Sequence, residues 1–220
     1  MTIKSTGENA YFAASATEQG KESGAPCAIL REHVESFHAG ILNFNDDTHY
    51  DLLSCLQKSI RGSDPDATVF YLAKLLAAGE LISVCRRLQV IASEDIGLAY
   101  PLAVTVTRAA CESAKELGLP EARIPLANAA LLLATAPKSN SAEAAIDAAM
   151  ADVEAGMGRV VPKHLQSPLF KGYKYPHSYP GHYVEQQYLP DDLVGKHYYE
   201  YGDNKTEAAA REYAERIRKK

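Results

Sequence analysis

Two short stretches hold residue types that could do acid–base or nucleophilic chemistry. ASEDIG sets Glu94 beside Asp95, and APKSN sets Lys138 beside Ser139 and Asn140. Paired carboxylates serve general acid–base catalysis when their surroundings separate their pKa values, and a lysine can activate a neighbouring serine as a nucleophile. Neither stretch carries the strand-to-helix elbow that presents a nucleophile, and no base is matched to one by spacing. Both lie where one helical pattern ends and the next begins. The preferred reading is therefore structural: Glu94 and Asp95 cap backbone amides or pair with Arg86, Arg87 or Lys138, and Ser139 and Asn140 are caps.

GKES, residues 20–23, comes near a phosphate loop and misses it. Glu22 stands where the magnesium-binding hydroxyl belongs and Ser15 where the earlier glycine belongs, so both the cation ligand and the backbone cradle are absent. No nucleotide cofactor is assigned. Among the seven histidines, His177 and His182 with Asp191 and Asp192 form the obvious cluster for a metal. Zinc wants three or four convergent ligands, usually including a pair on one helical face, and this proline-rich stretch offers no such geometry; no metal is assigned.

The stretch GYKYPHSYPGHYVEQQY, residues 172–188, concentrates tyrosine in a chain with no tryptophan. Single-stranded nucleic acid stacks its bases on such rings while lysines track its phosphates. The contact set on that reading is Lys171, Tyr173, Lys174, Tyr175, His177 and Tyr179. From Pro162 to Lys220 there are 10 basic and 8 acidic residues, a weak excess for a phosphate-binding stripe. The preferred alternative is a clamp: half-buried tyrosines fasten an irregular segment, their hydroxyls bonded to backbone groups.

These stretches need elements to hold them. The chain of 220 residues, 46% hydrophobic, is long enough for a substantial core. Its net charge of −5 excludes a global attraction to phosphate or anionic lipid, no apolar run reaches membrane-spanning length, and the N-terminus lacks a signal-peptide core. A soluble cytoplasmic protein is expected. Cys27, Cys55, Cys85 and Cys111 show no C-x-x-C pair and sit mostly in apolar helical settings, so buried, reduced thiols are expected.

From His49 to Gly156 the pattern is a run of amphipathic helices broken by turn signals. DLLSCLQKSIR puts Leu52, Leu53, Leu56 and Ile60 on one face before Gly62. In the following SDPD, Ser63 or Asp64 caps, Pro65 suits the first turn and Asp66 favours the helix dipole. DATVFYLAKLLAAG closes at Gly79. ELISVCRRLQVIASED is expected to bury Leu81, Ile82, Cys85, Leu88 and Ile91. PLAVTVTRAACESAKELG closes at Gly118, and Pro125 marks the first turn of the next helix or kinks it. In NSAEAAIDAAMADVEAG, Asn140 with Glu143 fits a capping box. Six helices in about 110 residues give an all-α helical bundle. After Gly158, repeated prolines forbid long helices until NKTEAAAREYAERIRKK, expected as an exposed charged helix.

Taken in order, SIRGSDPDA (59–67), RRLQVIASEDIGLA (86–99), LATAPKSN (133–140) and GYKYPHSYPGHYVEQQYLPD (172–191) strongly resemble the C-terminal region of the RarA/MgsA family of AAA+ ATPases, whose eukaryotic relatives are the Werner-helicase-interacting ATPases. The resemblance runs from about His49 to Tyr199. It implies a post-ATPase domain like the collar of clamp-loader subunits, assembling as a tetramer, with Arg61, Ser63, Asp64, Asp66, Glu94, Asp95, Lys138, Ser139 and Asn140 as structural motif residues. It further implies work at stalled replication forks in the cytoplasm, at the nucleoid, with DNA and single-stranded DNA-binding protein as partners. The chain departs from the family plan in lacking the Walker motifs, sensors and arginine finger. ATP and magnesium thus belong to an ATPase module absent here, whether this chain is a fragment of a longer protein or a gene for the C-terminal half. The join between HLQSPLF and GYKY is also shorter than the family's. The implied domains are an unassigned segment at 1–47 (a linker, a remnant of the ATPase lid or foreign sequence), a collar at 48–158, a Tyr/Pro-rich arm at 159–203 packed on it, and a charged helix at 204–220.

Overall fold

The computed structural model describes residues 46–167 and 172–219, and every regular element among them is helical. GKES, Cys27 and Lys171 lie outside the described residues. The chain divides into two compact units.

The first unit contains five helices: α1 (Asp46–Arg61), α2 (Pro65–Ala77), α3 (Leu81–Ile91), α4 (Leu102–Leu117) and α5 (Arg123–Thr135). Helix α5 packs on the other four, and α1 also meets α2 and α3. Leu56, Ile60, Leu75, Leu88, Ile91, Leu126 and Leu133 are completely buried between them. Where α4 faces α5, the buried positions include Ala103, Ala114, Ala129, Ala130 and Ala134, whose small side chains let the backbones approach closely. Burial of about ten large aliphatic side chains, each contributing roughly 1.5–3 kcal/mol, is the main favourable term here.

The local signals read from sequence hold at the α1–α2 corner. Gly62 and Ser63 turn the chain, Ser63 with φ 57°. Of the two candidate caps it is Asp64 that works, accepting from the Ala67 amide at 2.9 Å, while Thr68 Oγ1 donates to the Asp64 carbonyl at 2.7 Å. Pro65 opens α2, and Pro125 lies in the first turn of an uninterrupted α5.

In α3 the expected stripe needs correction. Ile82 is 45% exposed, Leu81 is half-buried, and Val84 is fully buried with Cys85, Leu88 and Ile91. At 100° per residue the buried arc centres near positions 84, 88 and 92, and Ile82 falls about 120° away from it. Cys85 and Cys111 meet across α3 and α4, with Cys111 Sγ donating to the Cys85 carbonyl at 3.5 Å. The hydrogen bond to Cys85, together with burial, pushes the Cys111 thiol well above its usual range, so it stays a protonated, inert group. Both thiols are free and buried; Cys55 is free and half-buried.

The second unit comprises residues 93–101 and the described residues from 137 onward. Its first part is a π turn that begins at the boundary (Ala92–Ile96) and a 3-10 turn (Gly97–Ala99). Helix α6 (Ser141–Glu154), four further 3-10 turns and helix α7 (Lys205–Arg218) complete it. Both helices touch the Gly97–Ala99 turn, and Thr206 Oγ1 donates to the Ala99 carbonyl at 3.0 Å. Gly97 is needed there: its φ is +45°, and a Cβ would lie 3.0 Å from the Ser139 carbonyl.

Candidate functional site

The motif residues of the second unit converge at the start of α6. The Ser139 amide donates to the Asp95 carbonyl at 2.9 Å, tying the two stretches that looked chemically capable into one joint. Beside it opens a cleft of about 300 Å³, lined by Lys138, Ser139, Asn140, Ser141, Tyr198 and Glu200 among others. Burial lowers the Lys138 pKa, and the nearby Asp95 carboxylate opposes that shift. Asp95 is only 5% exposed. Arg87, one of the proposed partners for the acids, instead donates to Gln57 of α1 at 2.8 Å.

The capping box expected at Asn140 and Glu143 does not form. The Asn140 side chain makes no cap bond; Ser139 Oγ accepts from the Ser141 amide at 3.3 Å in its place. A cap of the same pattern occurs instead at Asn204, whose Oδ1 accepts from the Glu207 amide at 3.0 Å. Glu207 itself is 1% exposed, so the C-terminal helix is not simply the solvent-facing charged element expected. Its carboxylate accepts from Ser141 Oγ, Asn204 Nδ2, Tyr199 Oη at 3.0 Å and the Gly202 amide at 3.2 Å. Burial alone would raise its pKa; the donors, Ser139 and Ser141 foremost, overcome that and bring it down to about 2. Tyr199 is pushed up to about 12 by burial and by this bond to a carboxylate.

Neither Glu207 nor Tyr199 was singled out from the sequence. The signal that could have found them is the Asn-x-x-Glu spacing at 204–207, identical to that at 140–143, preceded by a Tyr-rich segment. What the joint can do chemically follows from its partners. Ser139 Oγ donates to Ser141 Oγ at 3.0 Å, and Ser141 Oγ donates to Glu207; the hydroxyls run into an ionised carboxylate held by several donors, so Glu207 is a poor base for either of them. Hydrogen bonds hold α6 on its other end too: Asp152 accepts from Tyr198 Oη at 2.8 Å and pairs with Lys196 at 3.0 Å. These bonds depress the Asp152 pKa and raise that of Tyr198.

The arm differs from the clamp expected of it. Tyr175 is 58% exposed, and Tyr173 and Tyr179 are also exposed, while the tyrosines that fasten the unit are Tyr198 and Tyr199. Gln186 stitches the arm by donating to the Lys174 carbonyl at 2.8 Å and accepting from its amide at 3.2 Å. At the tip the His177 ring lies 5.2 Å from Tyr175 and 5.1 Å from His182, centroid to centroid. Lys174 Nζ donates to the Glu185 carbonyl at 3.3 Å. No cluster of three or more His, Cys, Asp or Glu side chains able to hold a metal occurs among the described residues. Arg61, Ser63, Asp64 and Asp66 sit at the α1–α2 corner in the first unit, where Ser63 serves the turn, Asp64 the cap and Asp66 the acidic first turn of α2.

The described residues form helices, with α6 and α7 tied into a hydrogen-bonded joint, and the sequence specifies which kind of helical domain this is. Residues 62–218 match the family described as MgsA AAA+ ATPase C terminal, and the chain belongs to that family. It is 56% identical over 162 residues to Replication-associated recombination protein A of Bacillus subtilis, covering 70% of this chain and 38% of that protein. The protein of the same name from Escherichia coli K12 is 37% identical over 164 residues, covering 70% and 37%. That from Haemophilus influenzae is 35% identical over 216 residues, covering 93% of this chain and 48% of the relative. The chain thus spans less than half the length of these relatives. No helix among the described residues is long and apolar enough to cross a membrane.

Proposed function

We propose that this chain is the assembly domain of a replication-associated AAA+ ATPase and turns over no substrate itself. Its role is to hold copies together, as a tetramer, so that ATPase modules work side by side at damaged or stalled replication forks. The observation that carries this reading is exposed apolar surface on otherwise well-packed helices: Leu102 at 60%, Leu117 at 57% and Ile124 at 62% in the first unit, Ile146 at 57% and Val153 at 63% in the second. Surface of that kind marks association. Family membership supports it, and the names of the relatives support the replication setting. The Haemophilus match covers too much of the chain to stop at residue 47, which supports reading the N-terminal segment as family sequence such as a remnant of the ATPase lid. Light scattering across a dilution series in the micromolar range tests the proposal. A mass near four chains is expected, and a strict monomer at every concentration refutes it.

A second reading, contact with single-stranded DNA, is favoured by the exposed Tyr175–His177–His182 ring cluster. Lys174 is turned to a backbone carbonyl, so the rings carry this reading and not the lysines. Tyr175→Ala with His177→Ala should weaken binding of a labelled oligonucleotide, read by anisotropy, by about tenfold, since one stacked base contributes roughly 1–3 kcal/mol. Unchanged binding refutes it.

A further inference from the structure

Helix α6 has no buried residue along its 14 positions. Ile146, Met150 and Val153, spaced four and three apart, form one stripe that is 57%, 47% and 63% exposed. Its inward side is fixed by Ser141, bound to Glu207, and by Asp152, bound to Lys196 and Tyr198. At 100° per residue the apolar stripe lies about 140° around the helix from those two anchors. Glu143, Asp147 and Glu154 border the stripe, and the helix carries no basic residue. The result is an apolar band with an acidic edge.

Helix α7 offers the complement. Its inward side carries the buried Glu207; Lys205, Ala209 and Arg216 fall about 160–180° around from it and Tyr213 about 120°. Tyr213 is 49% exposed, and the Arg216 guanidinium lies over its ring at 5.5 Å. Arg218 and Lys219 follow at the end of the helix. The band holds alanine, tyrosine and arginine; Glu212 falls within it, and Lys205, Arg216 and, past the end of the helix, Lys219 leave it net basic.

The two bands complement each other in charge and cannot meet within one copy, because each faces away from the Ser141–Glu207 bond that joins the helices. We propose that α6 of one copy docks on α7 of the next, so that assembly is head-to-tail, with apolar contact at the centre and ion pairs at the rim. This rests on the assembly reading above and names the surface that performs it. Two different patches in contact make a heterologous interface, which closes into a ring or extends as a filament according to the angle between copies. The unpaired state of the α6 acids fits this use: among the described residues Glu143, Asp147 and Glu154 make no hydrogen bond or ion pair within the chain.

Two exposed charge-reversal variants of the full chain test it. One carries Glu143→Lys, Asp147→Lys and Glu154→Lys; the other carries Lys205→Glu, Arg216→Glu and Lys219→Glu. Circular dichroism verifies that both keep the wild-type helix content. By light scattering each alone should lose association at least tenfold, because both of its bands now carry the same sign. An equimolar mixture should regain the wild-type mass, since every contact between unlike variants is again of opposite sign. Variants that each keep the wild-type mass, or a mixture that stays dissociated, overturn the α6–α7 pairing while leaving the assembly reading intact. A wild-type chain that is monomeric overturns both.

Discussion

Replacing Glu207 by Gln removes a charge from a site built to hold one, at nearly constant shape. The four donors around the carboxylate bring its pKa from an ordinary 4.5 to about 2, and the side chain is 1% exposed. That difference of about 2.5 units, at 1.36 kcal/mol each, amounts to about 3 kcal/mol of preference for the ionised form in the folded state. Glutamine resembles the protonated acid, and either orientation of its amide sets the nitrogen against a donor-only group, Asn204 Nδ2 or the Gly202 amide, so E207Q should lose about that much stability at pH 7. The sign in pH is set by the depressed value. With the folded pKa below the unfolded one, the contribution is complete above about pH 5 and disappears as pH falls toward 2. Urea unfolding read by tyrosine fluorescence reports on the right unit, because nine of the thirteen tyrosines follow residue 172 and the chain has no tryptophan. The wild-type advantage should narrow from about 3 kcal/mol at pH 7 to about 1.4 kcal/mol at pH 3. A gap that stays constant over that range, or one below 0.5 kcal/mol throughout by the usual spread of surface substitutions, refutes the reasoning.

Further outcomes follow from the same geometry. Asn204→Ala, which removes an acceptor and a donor from Glu207, should cost about 1–2 kcal/mol in urea unfolding, whereas Asn140→Ala, with no cap bond to lose, should stay within about 0.5 kcal/mol. Gly202→Ala would set a Cβ 2.7 Å from Glu207 Oε2 and should cost about 1–3 kcal/mol by overpacking. In the first unit Leu88→Ala should cost about 2–5 kcal/mol and Ile82→Ala under about 1 kcal/mol, a contrast that thermal unfolding by circular dichroism resolves. Asp64→Ala should cost about 1 kcal/mol of stability through loss of the α2 cap, read as a lowered melting temperature.

The first unit was largely legible because its determinants are local. Apolar residues three and four apart, a capping aspartate before a proline, and glycines with φ of +79° and +70° after α2 and α4 each act within one turn of the chain. The error at Ile82 shows where that legibility ends. Positions 81, 82 and 84 all hold aliphatic residues, and periodicity with Cys85 admits more than one of them; only the direction from which α1, α4 and α5 approach selects Val84.

The second unit defeats local reasoning because its hydrogen bonds bridge long stretches of sequence. Ser141 and Glu207 are separated by 66 residues, Tyr198 and Asp152 by 46, and Thr206 and Ala99 by 107. Two Asn-x-x-Glu patterns look equally good on paper, yet only the one whose glutamate meets Ser141 and Tyr199 is buried, and only its asparagine caps. The tyrosines divide in the same way. Those followed closely by the α7 cap find carboxylates and become fasteners, while Tyr173, Tyr175, Tyr179 and Tyr188 on the proline-held stretch leave their rings exposed. Composition marks both groups alike, and what separates them is whether a distant carboxylate arrives to accept the hydroxyl. The same test separates the acids: Glu207 and Asp152 have donors and belong to the fold, whereas Glu143, Asp147 and Glu154 have none within the described residues, which leaves their charge available to a second chain.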